Sequence, residues 1–295
     1  MIKKEGLFAQ PSITRSERSL HTPGAFAKQH LLYVQEVGRL ESLTPHRCIR
    51  EQVDSYLFLM VLEGKGSLEI EGKHYDIAKG DCALIDCMKH YEHISDEQDA
   101  WKLAWVHFNG RGAKGYHELF ARYYDSAVFH VADTEPWNGI IGELLEKQQD
   151  KSLIAELDCG ELLLHLLNKV IAHVAAGTVD TGESQRQLAQ EIREYLNDSY
   201  ADREVLADAE GHFGQSATVL DEVFVKYFGI TMAEYISNRR LNAAKELLRF
   251  TITPIEEVAV QSGIGDLIMM QQMFRSQEGM SPEEYRARWA QWIRA

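Results

Sequence analysis

A 50-residue repeat in the last third of the chain constrains the fold more than any other feature. Phe224, Gly229, Thr231, Glu234 and Tyr235 recur as Phe274, Gly279, Ser281, Glu284 and Tyr285, each offset by 50. Five matches in one register mark a duplicated unit of supersecondary size. Both copies carry the same local physics. A helix closes on glycine, which takes the left-handed conformation beyond the last turn without a steric penalty. Thr231 or Ser281 then caps the next helix, and the glutamate three residues on completes a capping box. Pro282 stands at a first helical position, where its missing N–H costs nothing. Thr253-Pro254-Ile255-Glu256 starts the second unit by the same device. A long helix from Thr231 to Phe250, with Ile236, Leu241, Ala244, Leu247 and Leu248 along one side, joins the two units. Helix, tight turn, helix, twice over, predicts a helix-turn-helix pair; the pattern also fits an all-helical interaction domain.

Ahead of the repeat the period of the apolar residues changes. From about Leu20 to Gly110 short runs are separated by turns at Glu63–Gly66, Gly72–His74 and Lys79–Asp81. The runs are Tyr56–Leu62, Ser67–Glu71, Tyr75–Ile77, Cys82–Asp86 and Trp101–Phe108. Strands this short at this spacing predict a small barrel or sandwich. After Gly112, apolar residues fall three and four apart over His117–Tyr124, Trp137–Gln149 and Ile154–Val174, as in amphipathic helices. The last of these is apolar on more than one face, so it is either well buried or paired with a second subunit. Ala175–Gln185 is small and polar, a linker composition. The chain thus divides into an N-terminal arm (1–19), a small barrel (20–111), a helical region (112–176), a linker (177–185) and a tandem helix-turn-helix domain (186–295). The fold class is α+β.

A chain of 295 residues, 45% hydrophobic and 26% charged, has room for two ordinary domains. No run approaches the ~18 uninterrupted apolar residues of a membrane helix. Met1–Ser19 contains Lys3 and Lys4 but no apolar stretch of the signal-peptide kind. Cys48, Cys82, Cys87 and Cys159 lack metal-site spacing and read as reduced, mostly buried thiols of a cytoplasmic protein. The net charge of −14 opposes non-specific attraction to nucleic acid or to an anionic membrane.

Asn238–Thr251, Ile255–Ala259, Gly263–Asp266 and Gly279–Arg286 resemble the C-terminal domain of AraC/XylS-type transcription regulators. The resemblance runs from Gln187 to about Trp292. The front half, with Gly64-x-Gly66, Gly72–Tyr75, Gly80-Asp81 and Trp105–Gly110, is similar to the cupin-like sensor barrels of the same family. The resemblance implies a ligand-responsive, sequence-specific DNA-binding regulator. It implies dimerisation through the helices after the barrel and two recognition helices entering successive major grooves. Its expected partners are double-stranded DNA, a small-molecule effector such as a sugar, a second copy of the chain, and RNA polymerase. No membrane partner is expected.

The residues carried over as DNA-facing are Ser216, Ala217, Thr218, Asp221, Glu222 and Lys226 in the first unit. Arg239 lies on the joining helix, and Leu267, Ile268, Gln271, Gln272 and Arg275 belong to the second unit. Several depart from the family pattern. Glu222, beside Asp221, stands where the family has an arginine, and Val225 stands where a basic residue is expected. Ala209-Glu210 replaces an apolar-alanine pair, which puts a carboxylate where a small buried side chain belongs. In the second unit the aromatic and Ser-Arg positions read Met269-Met270-Gln271-Gln272. Residues 186–295 carry 12 Lys and Arg against 17 Asp and Glu, a net of −5. Phosphate neutralisation supplies most non-specific affinity, so these changes predict weakened DNA binding, with Lys226, Arg239, Arg240, Arg249 and Arg275 left for backbone contacts. Gln271 and Gln272 suit adenine edges or plain solvation.

In the barrel, His46, Arg50, His90, His93 and Trp105 mix hydrogen-bonding and aromatic groups in a way that suits a small molecule, and a sugar, if that is the ligand, would call for groups of this kind. His107 and Trp101 read as core or surface residues. Cupin-type enzymes hold a metal with two or three histidines and a carboxylate. Here His46, His90 and His93 with Glu51 or Glu92 are the candidates, but a single His46 stands in place of a His-x-His pair. Neither a metal nor a cofactor is therefore expected. The sequence has no phosphate-binding glycine loop and no nucleophile elbow, so no enzyme is expected either. Two other function classes stay open at this point: a sensor or interaction protein with a degenerate helix-turn-helix domain, and a cupin-type enzyme.

Overall fold

The computed structural model describes residues 14–177 and 183–290, which separate into two units, Met1–Thr178 and Val179–Ala295. Residues 1–13 of the expected arm, 178–182 of the expected linker and 291–295 lie outside the described residues.

In the first unit the order is β1 (Thr14–Leu20), α1 (Ala25–His30), β2 (Leu32–Ser42), β3 (Arg47–Arg50), β4 (Tyr56–Glu63), β5 (Lys65–Ile70), β6 (Lys73–Ala78) and β7 (Asp81–Asp86). There follow β8 (Tyr91–Ser95), β9 (Lys102–Gly110), α2 (Ala113–Tyr123), β10 (Val128–His130), α3 (Glu135–Lys147) and α4 (Leu153–Gly177). Six strands form one sheet in the order β1-β2-β9-β4-β7-β10, and β3-β8-β5-β6 form the other. All the ladders are antiparallel. Residues 14–19, read from the sequence as arm, are instead β1, paired along its length with β2 from Thr14↔Ser42 to Leu20↔Glu36.

Strand alternation explains why the larger sheet is apolar on both faces. Phe58, Met60, Cys82, Leu84, Ala104, Val106 and Phe108 turn outward, where Ile141, Leu144, Leu163, Leu166, Leu167 and Val170 of α3 and α4 cover them. Their neighbours Leu57, Leu59, Val61, Ala83, Ile85, Leu103 and Trp105 turn inward against Leu68, Ile70 and Tyr91 of the second sheet. A bulge between Val34 and Glu36 shifts the parity of β2 against β9. Leu32, Val34 and Val37 therefore join the helix-covered core, while Leu40 packs with the barrel interior. By length and composition α4 is the one helix among the described residues apolar enough to cross a membrane. Cys159, Leu163, Leu166, Leu167, Val170 and Val174 nonetheless lie buried in the core beneath the larger sheet, each at most 1% exposed.

The second unit comprises α5 (Glu183–Asp198), α6 (Val205–Phe213), α7 (Ala217–Phe228), α8 (Met232–Phe250), α9 (Ile255–Gln261), α10 (Leu267–Glu278) and α11 (Pro282–Trp289). The sequence repeat is a structural repeat. Helices α7 and α10 end at Gly229 and Gly279, with φ of 74° and 68°. Capping boxes at Thr231 and Ser281 start α8 and α11. Phe224 meets Tyr235 edge to face at 5.3 Å, and Phe274 meets Tyr285 the same way at 5.4 Å. Each copy keeps its own core. Met232 and Ile236 of α8 join the first, and Leu241, Ala244 and Leu248 join the second.

Candidate functional site

A cavity of about 320 Å³ opens inside the barrel, and residues from both sheets line it. Leu40, Leu57, Leu59 and Leu103 give it an apolar wall, with Trp105 beside them. Gly38 is what lets the indole lie flat on β2: a Cβ there would stand 2.6 Å from a ring carbon of Trp105. Polar groups enter from three sides. His46, Cys48 and Arg50 come from β3 and the residue ahead of it, Tyr91 and His93 from β8, and His107 from β9. Arg18 and Glu36 enter from β1 and β2 and pair with each other at 3.5 Å.

The three histidines are neutral in the folded protein. Burial pushes His93 down to about 3, with the charge of Arg50 acting in the same direction. Burial and the nearby Arg50 push His107 down to about 4, and burial alone lowers His46. Nδ1 of His46 lies 2.9 Å from the Ser42 hydroxyl, and Nδ1 of His107 lies 3.1 Å from that of Ser55. Ser55 also lies within donating distance of the Tyr56 and Phe108 carbonyls, at 3.2 and 3.5 Å, and the Nε2 of His107 is a donor or an acceptor according to which partner takes the serine proton. No group of three His, Cys, Asp or Glu suited to a metal ion comes together among the described residues.

Of the residues singled out from sequence, His46, Arg50, His93 and Trp105 meet in this cavity. His90 does not: it is exposed and faces Glu51 at 3.5 Å. Its position two residues before Glu92 puts it past the end of the β8 ladder, where nothing turns it inward. Glu92 is engaged with Arg47 on the outer side of the same sheet. Sequence reading missed His107, although it lies two residues from Trp105 on one strand and so shares its face. It missed Arg18 and Glu36 because β1 and β2 were not recognised.

In the second unit, Ser216 accepts the Val219 N–H at 3.5 Å and opens α7, while Asp266 accepts that of Met269 at 2.8 Å and opens α10. Of the residues expected to face DNA, Ala217, Thr218 and Glu222 on α7 and Ile268, Gln272 and Arg275 on α10 are exposed. Leu267 and Gln271 are half-buried. Val219, Ile268 and Met269 leave apolar side chains in solvent at 42%, 68% and 49% exposure. Lys226 reaches Gln185 at 3.2 Å, and Arg239 lies over the Tyr200 ring at 4.6 Å.

Three expectations are corrected here. Glu210 is exposed rather than occupying a buried position, because Ala209 takes that place at 0% exposure. Asp221 does not face outward beside Glu222: its carboxylate accepts the Met232 N–H at 2.7 Å at the start of α8. Arg240 is engaged inside the unit, donating to the carbonyls of Tyr200 and Asp202 at 2.7 Å each.

Comparison with known proteins agrees with this arrangement. The profile of the AraC-like ligand binding domain matches residues 33–167, and that of a helix-turn-helix domain matches residues 211–288. The arabinose operon regulatory protein of Salmonella typhimurium is 25% identical over 238 residues, covering 79% of this chain and 83% of that one. The Msm operon regulatory protein of Streptococcus mutans is 24% identical over 250 residues, 79% and 84% of the two chains. The HTH-type transcriptional regulator YbfI of Bacillus subtilis is 33% identical over 229 residues, 72% and 78%. A cupin-like ligand-binding barrel followed by a duplicated helix-turn-helix domain, matched along both halves, places this chain in the AraC/XylS-type family of ligand-responsive, DNA-binding transcription regulators.

Proposed function

We propose that the protein is a homodimeric cytoplasmic regulator that binds a sugar-like effector in the barrel cavity and reads duplex DNA with the exposed faces of α7 and α10. The cavity carries this reading. It sets neutral imidazoles and an arginine against an indole and leucines, a mixture that suits a molecule with hydroxyl groups on one side and C–H faces on the other. The name of the arabinose operon regulatory protein among its relatives points the same way. The reading leaves no catalytic role for these residues.

The DNA-facing surface is weakly charged and partly apolar. With Asp221 turned inward, Glu222 is the carboxylate that opposes phosphate on α7, and Arg275 is the exposed cation on α10. Ile268 and Val219 suit contact with thymine methyl groups, and Gln272 suits an adenine edge. Dimerisation is assigned to α4. Ile154, Leu157 and Leu164 are exposed at spacings of three and seven, in line with Asn168, whose side chain takes the Tyr116 hydroxyl at 2.9 Å. Such a seam is what a second copy of the helix would cover.

The test is selection of a random duplex library by the full chain at low and physiological salt, with and without a panel of sugars. Enrichment of a split site, its halves about one helical turn apart, with retention altered by a sugar, is the expected result. No retention even at ~50 mM salt would overturn the DNA-reading part.

A further inference from the structure

The charges around the cavity do not cancel. Its lining includes two cations, Arg18 and Arg50, and one carboxylate, Glu36. Glu36 is committed to Arg18 at 3.5 Å. Arg50 makes no ion pair with a carboxylate among the described residues, and it stands on β3 with its side chain both lining the cavity and open to solvent. The three histidines add no charge at neutral pH, because burial keeps them unprotonated. The cavity lining therefore carries a net positive charge, two cations against one carboxylate, with Arg50 on its solvent side.

We infer that the effector is a polyhydroxylated monocarboxylate of monosaccharide size, a sugar acid rather than a neutral sugar. The inference rests on the barrel cavity being the effector site and adds the charge of its ligand. A carboxylate seated on Arg50 gains a charge-assisted contact that a planar guanidinium can make through two parallel N–H donors. The Nε2 atoms of His107 and His46 are the ring nitrogens their serines leave over, each a hydrogen-bonding partner for a ligand hydroxyl, which can donate or accept. The Arg18–Glu36 pair offers both donors and an acceptor to further hydroxyls. Trp105 and the four leucines take the C–H face of the ring.

The alternatives fit less well. A purely apolar carboxylate would desolvate the three imidazoles and leave their nitrogens without partners, a penalty of about 1–3 kcal/mol for each buried group. A phosphoryl group carries close to two charges, and the cavity offers a single unpaired cation to meet them. At about 320 Å³ the space lies at the small end of ligand sites, which favours a single ring over an oligosaccharide.

The experiment is calorimetric titration of the full chain with galacturonate, glucuronate and gluconate. The comparison ligands are galactose, glucose and arabinose, with galactose 6-phosphate and benzoate as further probes. At least one sugar acid is expected to bind roughly ten-fold or more tightly than its neutral counterpart, the effect of one charge-assisted contact. Arg50→Gln is expected to erase that preference while the ligand-free protein stays folded by its melting curve, because Arg50 makes no ion pair with a carboxylate and glutamine keeps a donor for its contact with Cys48. Arg50→Lys restores part of it. Four outcomes would overturn the inference: neutral sugars binding as tightly as the acids, preference for the phosphate or for benzoate, sugar-acid affinity indifferent to Arg50→Gln, or no sugar acid binding at millimolar concentration. A neutral sugar whose binding is lost in Trp105→Ala would sink the charge assignment alone. Ligand binding untouched by both Trp105→Ala and His107→Phe would sink the cavity as effector site.

Discussion

The carboxylate of Glu210 on α6 accepts the backbone N–H of Ala217 at 2.6 Å, closing the first turn of α7 from the neighbouring helix. The four N–H groups that open a helix have no partner within it, and an acceptor supplied there is worth about 1 kcal/mol. Glu210→Ala should lower the stability of the second unit by about that amount, and Glu210→Gln, which keeps an acceptor, by less. Urea unfolding of the two variants checks this. Equal losses in both would mean that the contact is incidental.

Neighbouring carboxylates on α7 have opposite roles, and charge reversal should separate them. Glu222 is exposed, so Glu222→Arg should raise affinity for any duplex and steepen its salt dependence, at little cost in stability. Asp221 holds the Met232 N–H at 2.7 Å, so Asp221→Arg should destabilise the start of α8 by about 1–2 kcal/mol. A salt titration of DNA binding, beside a melting curve for each variant, reads both effects. No gain in affinity from Glu222→Arg would show that this carboxylate does not oppose DNA binding.

The cavity histidines make barrel stability depend on pH. Folded, His93 and His107 protonate only near 3 and 4, whereas in the unfolded chain they do so near the ordinary value of about 6.5. Between these limits the unfolded state binds more protons, so stability rises with pH. The loss should begin as pH falls through about 6.5 and end near the folded values, at up to about 1.4 kcal/mol per unit for each ring. The barrel's urea midpoint measured from neutral pH down to about 5 tests this, and His107→Gln should flatten the slope. A midpoint independent of pH over that range would show that the rings are not held neutral.

If α4 pairs with a second copy, a charge placed on its exposed seam should separate the two. Leu164→Arg adds a cation at a position 42% exposed in the single chain, so the fold should survive while the mass in solution falls to that of one chain. Sedimentation with a circular dichroism check measures both. A variant that stays dimeric moves the interface elsewhere.

Gly38→Ala probes the contact that shapes the cavity. The added Cβ would meet two carbons of the Trp105 ring at 2.6 and 2.7 Å and the Glu17 carbonyl at 2.8 Å. Overpacking of this kind costs about 1–3 kcal/mol. Ligand affinity should fall as the indole is displaced, and thermal melting with ligand titration reads the two losses together.

The parts of this fold that were legible in the sequence are those with local causes. Gly229, Gly279 and the Thr231 and Ser281 capping boxes act within a few residues of themselves, so the helix-turn-helix pair could be read before any tertiary contact was known. Strands β4 to β7 and β9 announced themselves by glycine turns. Strand β2 did not, because its bulge between Val34 and Glu36 breaks the alternation that would have marked it. Strand β3 is short and polar (Arg47-Cys48-Ile49-Arg50), and only its pairing with β8 makes it a strand. The cavity inherits these gaps. Its His46, Arg50, His93 and Trp105 could be guessed by residue type. Its Arg18, Glu36 and His107 depend on which way a strand faces. Glu210 and Asp221 misled for a related reason: a carboxylate's partner was a backbone N–H on another helix, which no sequence spacing reveals.

The two cores of the duplicated domain have a consequence for how such a protein can change over time. Phe224 and Phe274 are each buried among their own neighbours, and α8 contributes different residues to each cluster. A substitution that remodels the surface of α10 need not disturb the packing beneath α7. Each half of a bipartite target could then be re-specified separately, one drifting toward a new sequence while the other holds the protein to its old address.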